Sequence, residues 1–170
     1  LVAEHPDRFT RVMVANTGLN TGDREPTDAF LAWREFSQSI PEFPVGAIVD
    51  GGTTRALSLA EIAAYDAPYP DESFKEGPRA MPGLVPAYPD DPASADNRRA
   101  WASLERFDKP MRTAFSDRDP VSAGGERAFQ FKVPGAAGQP HVTIEGAAHF
   151  LQEDAGPRLA ELLIAFATTD

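Results

Sequence analysis

Met111-Arg112-Thr113-Ala114-Phe115-Ser116-Asp117-Arg118-Asp119-Pro120 is the stretch that decides how this chain folds. Residues 111–115 have the composition of a buried strand. A polar loop with two carboxylates follows. Pro120 fixes φ near the value a first helical turn needs, and so predicts a helix near residues 121–130. Strand, acidic loop and helix in that order form one layer unit of an α/β protein. In open parallel sheets, ligands bind beyond the carboxyl ends of the strands. A carboxylate just past residue 115 therefore stands where chemistry would be done.

The same unit recurs towards the C-terminus. His141-Val142-Thr143-Ile144-Glu145 is a further strand candidate, and Gly146-Ala147-Ala148-His149-Phe150 is the loop behind it. Leu159, Leu162, Leu163 and Phe166 then recur at i, i+3, i+4 and i+7, the spacing of an amphipathic helix. Towards the N-terminus, the short apolar run from Thr10 to Asn16 ends at Thr17-Gly18 and predicts a strand buried on both faces. Leu1 to Pro6 reads as the tail of a helix.

Between residues 24 and 106 the pattern changes to short helices and proline-rich loops. Thr27 or Asp28 can cap a helix carrying Phe30, Trp33 and Phe36 on one side. Ser58-Leu59-Ala60-Glu61 has the capping-box spacing, in which a hydroxyl and a carboxylate satisfy each other's backbone N–H groups. Prolines 68, 70, 78, 82 and 86 keep helices short. A helical pattern with Trp101 and Leu104 resumes at 93–106. The predicted organisation is an α/β core in two parts, residues 1–23 and 107–170, around a helical insertion at 24–106. About three parallel strands with flanking helices are expected.

Composition narrows the function. The 170 residues carry a formal net charge of −10, which repels nucleic acid and anionic membranes. The absence of cysteine excludes disulfides and thiolate chemistry. The three histidines, His5, His141 and His149, form no close pair of the kind that binds zinc, so no metal site is expected. No apolar run is long enough for a membrane span. A cytoplasmic globular protein is the expectation.

An acid after one strand and a histidine after the last is the order of the final two members of a hydrolase triad. The chemistry requires both. A neutral imidazole must face water with one nitrogen and donate its other N–H to a carboxylate that fixes the tautomer and stabilises the imidazolium. Spacing alone leaves Asp117, Asp119 and His149 equally readable as solvated loop residues. His5 and His141 are read as structural, His141 because it stands at the entry end of its strand.

Three segments carry a resemblance. His5-Pro6-Asp7-Arg8-Phe9-Thr10-Arg11-Val12-Met13-Val14 resembles the segment after the nucleophile helix of α/β-hydrolases. Phe115-Ser116-Asp117-Arg118-Asp119-Pro120-Val121 resembles their acid loop, and Ala147-Ala148-His149-Phe150-Leu151-Gln152-Glu153-Asp154 their histidine segment. Within the insertion, Phe30-Leu31-Ala32-Trp33, Tyr65-Asp66-Ala67-Pro68-Tyr69-Pro70-Asp71 and Gly77-Pro78-Arg79-Ala80-Met81-Pro82 look like the cap domain of haloalkane dehalogenases. The resemblance implies a partial α/β-hydrolase fold, comprising the C-terminal part of such an enzyme with its helical cap. It implies hydrolysis of a small halogenated hydrocarbon to alcohol and halide through an alkyl-enzyme ester, with water as co-substrate and no cofactor.

By that resemblance Asp119 is the acid and His149 the base, with Asp117 as the fallback acid. In related branches the acid follows the earlier strand, but here that position is near Asn16, which is no carboxylate. Trp33 becomes a halide-binding donor, although periodicity alone reads it as a packing anchor beside Phe30 and Phe36. Phe30 and Pro82 would line the substrate pocket, and Trp101 is assigned to the core. No Gly-x-Asp-x-Gly-like elbow occurs among the 170 residues. The nucleophile is expected upstream of Leu1, in a missing N-terminal part, and the polypeptide alone is expected to be inactive. An epoxide hydrolase or an esterase is the competing enzymatic reading, and a non-catalytic interaction module the reading from another class.

Overall fold

The central strand β2, Met111–Ser116, is buried on both faces, and the rest of the core is arranged about it. The computed structural model describes residues 1–168. β1 (Val12–Val14) and β3 (Val142–Ile144) flank β2 in the order β1-β2-β3, and both pairings are parallel. Val14 pairs with Thr113 and Ala114 with Val142. The strand alternation then sends Met111 and Phe115 to one face and Ala114 to the other. The first face holds a cluster with Val14, Trp101, Leu104, Phe107, Phe129, Val133 and Ala136. The second holds Ile144, Ala147, Leu151 and Leu162. Fully burying side chains of this size stabilises the fold by about 1.5–3 kcal/mol each.

The chain divides into two compact units: Leu1–Leu19 with Arg98–Asp170, and Asn20–Asn97. The expected insertion, 24–106, is set against this second unit. Its C-terminal boundary falls inside α5, Ser94–Leu104, whose later turns carry Trp101 and Leu104 into the core of the first unit. Apolar burial sets the division there, and the helical pattern runs through it.

In the first unit, α6 (Glu126–Lys132) follows β2 and α7 (Leu151–Thr168) follows β3. The helix expected at 121–130 begins later because the Val121 N–H donates to Asp119 (2.8 Å), which holds the chain in a turn, and Gly124 has φ +78. The expected stripe on α7 is also narrower. Leu162 and Phe166 are buried, but Leu163 is 51% exposed. α7 is bent at Ala155 (φ −140°, ψ 30°), two residues before Pro157, whose ring crowds the preceding turn. Residues 1–5 form a single turn, with the Glu4 and His5 N–H groups donating to the Leu1 carbonyl (3.1 and 2.8 Å). A short 3-10 turn, Pro6–Arg8, follows in place of the helix tail expected there.

The second unit is helical. α1 (Asp28–Ser39) is capped by Thr27, α2 spans Val45–Gly51, and α3 (Leu59–Asp66) opens on the capping box of Ser58 and Glu61. α4 spans Glu76–Leu84. Arg79 on α4 joins these pieces. Its guanidinium donates to the carbonyls of Ser37, Ile40 and Pro41, pairs with Glu72 at 3.1 Å, and lies 5.2 Å from the centroid of Phe43. The carbonyl of Arg79 accepts from Gln38 at 2.6 Å. A five-donor planar cation is suited to closing several carbonyl ends at once.

Candidate active site

Asp119 and His149 meet beyond the carboxyl ends of β2 and β3. His149 Nδ1 lies 2.9 Å from Asp119 Oδ2. The carboxylate can only accept, so Nδ1 carries the proton and Nε2 presents its lone pair. Nε2 has no partner among the described residues. The Asp119 side chain is 1% exposed and that of His149 36%, so the carboxylate is sealed and the imidazole is open. The ring edge of Phe150 packs on His149 at 5.1 Å.

Burial works to raise the Asp119 carboxyl. Bonds from His149, from the Ser122 hydroxyl and from the Val121 N–H outweigh it, and the group is held below the ordinary value of 3.8. It stays ionised in a buried place because three donors converge on two oxygens. This arrangement can take a proton from water and stabilise the resulting imidazolium.

The loops are built to hold this geometry. Gly146, at φ +77°, makes a left-handed turn that a side chain would disfavour. Its N–H donates to Asp117 Oδ1 at 2.8 Å. The Arg118 N–H donates to the Ala147 carbonyl at 3.1 Å, and the Ala148 N–H to Asp154 at 2.8 Å. Asp117, the fallback acid, thus braces the histidine loop while its neighbour faces the imidazole.

Sequence reasoning missed the other brace. In the sequence Asn16 stands only as a position unable to supply a carboxylate. It sits at φ +35°, the non-glycine residue in the left-handed region among the described residues. Its amide reaches Ser116 Oγ (2.7 Å), the Ala148 carbonyl (2.9 Å) and the His149 carbonyl (3.1 Å). The Ser116 N–H donates back to its Oδ1 at 2.8 Å. The available signal was an amide at the carboxyl end of a parallel strand, but its partners lie 100 to 133 residues away.

Phe30, Trp33 and Pro82 lie in the second unit. Phe30 and Pro82 are buried on α1 and α4. Trp33 stacks on Phe36 with ring centroids 5.8 Å apart and tilts against Phe43 at 6.1 Å. Its indole N–H has no partner among the described residues. Trp101 differs: it is buried against Phe129 and donates to the Leu19 carbonyl at 2.7 Å. The remaining histidines stand apart from the pair of Asp119 and His149. His5 is exposed, and both ring nitrogens of His141 are bonded. Among the described residues no group of three or more acidic or histidine side chains could hold a metal ion. No helix there is long and apolar enough to cross a membrane.

Comparison with known proteins shows what the chain is similar to. The chain is 55% identical over 166 residues to a haloalkane dehalogenase of Psychrobacter cryohalolentis, covering 98% of this chain and 55% of the relative. This chain is a homologue of the haloalkane dehalogenases. A haloalkane dehalogenase of Mycolicibacterium paratuberculosis is 46% identical over the same length, again covering 98% of this chain and 55% of the relative. The chain thus spans about half the length of the curated relatives it matches. Among solved structures, the tetrameric haloalkane dehalogenase DpaA from Paraglaciecola agarilytica superposes with a TM-score of 0.82 at 30% identity, covering 99% of this chain and 56% of that one. The dehalogenase DatA from Agrobacterium tumefaciens superposes at 0.77 with 18% identity, over 98% of this chain and 60% of that one, which speaks for the fold alone. No family model matches the chain. Three parallel strands with flanking helices are the part of the α/β-hydrolase fold that this homologue carries.

Proposed function

We propose that this chain supplies the acid, the base and the cap of a hydrolytic haloalkane dehalogenase, acting in the cytoplasm on a small halogenated hydrocarbon. The single observation that carries the reading is the 2.9 Å pair between a sealed carboxylate and an imidazole whose other nitrogen is open. In this reaction a carboxylate nucleophile, contributed by the rest of the enzyme, forms a C–O bond to the sp³ carbon as the carbon–halogen bond breaks. The halide leaves with the bond's electron pair. Nε2 of His149 then removes a proton from water while the water oxygen attacks the ester carbonyl. The ester C–O bond breaks, the alcohol departs, and the carboxylate returns. Asp119 holds the imidazolium until its proton passes to solvent. The net change is haloalkane plus water to alcohol, halide and a proton.

Trp33 fits the halide role because an indole is a pure donor on an apolar body, and its N–H is unspent. Phe30 and Pro82 would shape the apolar side of the pocket. The direct test is halide release from a short bromoalkane by the protein as its gene encodes it. Turnover that disappears in His149→Gln, with an alkyl adduct of the intact protein visible by mass spectrometry, supports the reading. Residues 1–170 expressed alone are expected to release no halide, and robust turnover by them would overturn the division of roles.

A further inference from the structure

We infer that Asn16 is a positioning residue: its side-chain amide ties the end of β1 to the end of β2 and to the two carbonyls flanking the backbone of His149, and so sets where the imidazole stands. The inference rests on the reading of His149 as the base, but its geometry stands on its own. Asn16 Nδ2 lies within 3.1 Å of three oxygens, those of Ser116 Oγ, the Ala148 carbonyl and the His149 carbonyl. Its Oδ1 accepts from the Ser116 N–H at 2.8 Å. Ser116 Oγ in turn donates to the Ala148 carbonyl at 2.9 Å. Three strand ends separated by at least 100 residues of chain along two of the links are thus joined through one amide.

The chemistry of the residue at 16 is constrained from both sides. A carboxylate could keep the bond from the Ser116 N–H, but it would turn an oxygen towards two carbonyl oxygens and have nothing to donate. A hydrophobic residue would leave the Ala148 and His149 carbonyls and the Ser116 N–H without this partner. The backbone at φ +35° adds a second demand, which asparagine tolerates better than most residues. Glycine would satisfy the backbone and lose the clasp. That separates the two explanations for an asparagine here. If backbone conformation were its purpose, Asn16→Gly would be harmless. If the amide is the device, both Asn16→Gly and Asn16→Asp displace the base.

The experiment is proton and nitrogen NMR of the His149 imidazole in the protein as its gene encodes it, with turnover measured on the same protein. In the unaltered protein, the Nδ1–H held by Asp119 gives a downfield proton resonance protected from exchange. Asn16→Gly and Asn16→Asp are expected to broaden or lose that resonance while far-UV circular dichroism is retained. They should lower kcat by up to about 10²-fold, the scale of an ångström's misplacement of a catalytic group, with KM little changed. Ser116→Ala removes the smaller arm of the same clasp, is tolerated by the strand, and should give an intermediate loss. An unchanged resonance in Asn16→Gly, or a kcat loss in Ser116→Ala with the resonance intact, would overturn the inference. If no variant releases halide but the resonance still follows residue 16, the dehalogenase reading fails and the positioning role stands.

Discussion

His141 and His149 stand at the two ends of β3 and use their nitrogens in opposite ways. At the entry end, His141 Nδ1 accepts from the Thr113 N–H at 3.1 Å, so its proton sits on Nε2, which is 3.0 Å from the Ala136 carbonyl. The ring completes the strand ladder where β3 has not yet begun, and Thr113 Oγ1, itself an acceptor from Gln130, lies beside it. At the exit end, His149 donates from Nδ1 to Asp119, and Nε2 has no partner among the described residues. Two identical side chains thus adopt opposite tautomers. Of the two, His149 is the one with a ring nitrogen that has no partner among the described residues. Trp101 and Trp33 repeat the contrast, one N–H used on Leu19 and the other open.

The comparison can be broken in four places. The largest effect is expected for His149→Gln, a loss of about 10⁴-fold in halide release with the melting temperature nearly unchanged. An equal loss of stability would place His149 with the structural histidine. Asp119→Asn should cost about 10³-fold, because an amide has one acceptor oxygen for the three donors that now converge on two. The same variant tests the acid limb of stability. The Asp119 carboxyl is held below its ordinary value. Its contribution is therefore present above that value and lost as pH falls through the lower folded one. Thermal unfolding at descending pH should be steeper for the unaltered protein than for Asp119→Asn. Trp33→Phe keeps the ring and removes the donor. It should weaken turnover by about 10²-fold at most and weaken halide binding measured by quenching of tryptophan fluorescence or by calorimetry. The smallest effect on activity belongs to His141→Gln, which should leave turnover within about twofold and lower unfolding stability by about 1–3 kcal/mol, the cost of an unpaired buried N–H. A large loss of turnover without destabilisation would end the distinction between the two ends of the strand.

The strands were legible because buried parallel strands are short apolar runs with loop residues at both ends. The expected 10–16, 111–115 and 141–145 became Val12–Val14, Met111–Ser116 and Val142–Ile144. Placement at carboxyl ends of strands left Asp117 and Asp119 both open as partners of His149, and the resemblance favoured Asp119, whose Oδ2 lies 2.9 Å from His149 Nδ1. What the sequence could not convey were meetings between distant segments. The start of α6 slipped because the Asp119 side chain bonds its own loop before it meets His149. Leu163 looked like a core residue because the 3.6 period marks a face without stating how far the neighbouring layer extends. Asn16 looked inert because its value lies in three oxygens contributed by other strands' ends.

The bend at Ala155 has a mechanical consequence. In a continuous helix of eighteen residues the hydrogen-bonded turns would be coupled along its whole length. The interruption before Pro157 isolates the short turn that carries Asp154, which holds the Ala148 N–H. A distortion in the turns after Pro157 is therefore not relayed to that turn through an unbroken hydrogen-bond ladder. The loop that carries the imidazole is thus mechanically decoupled from the later turns of α7.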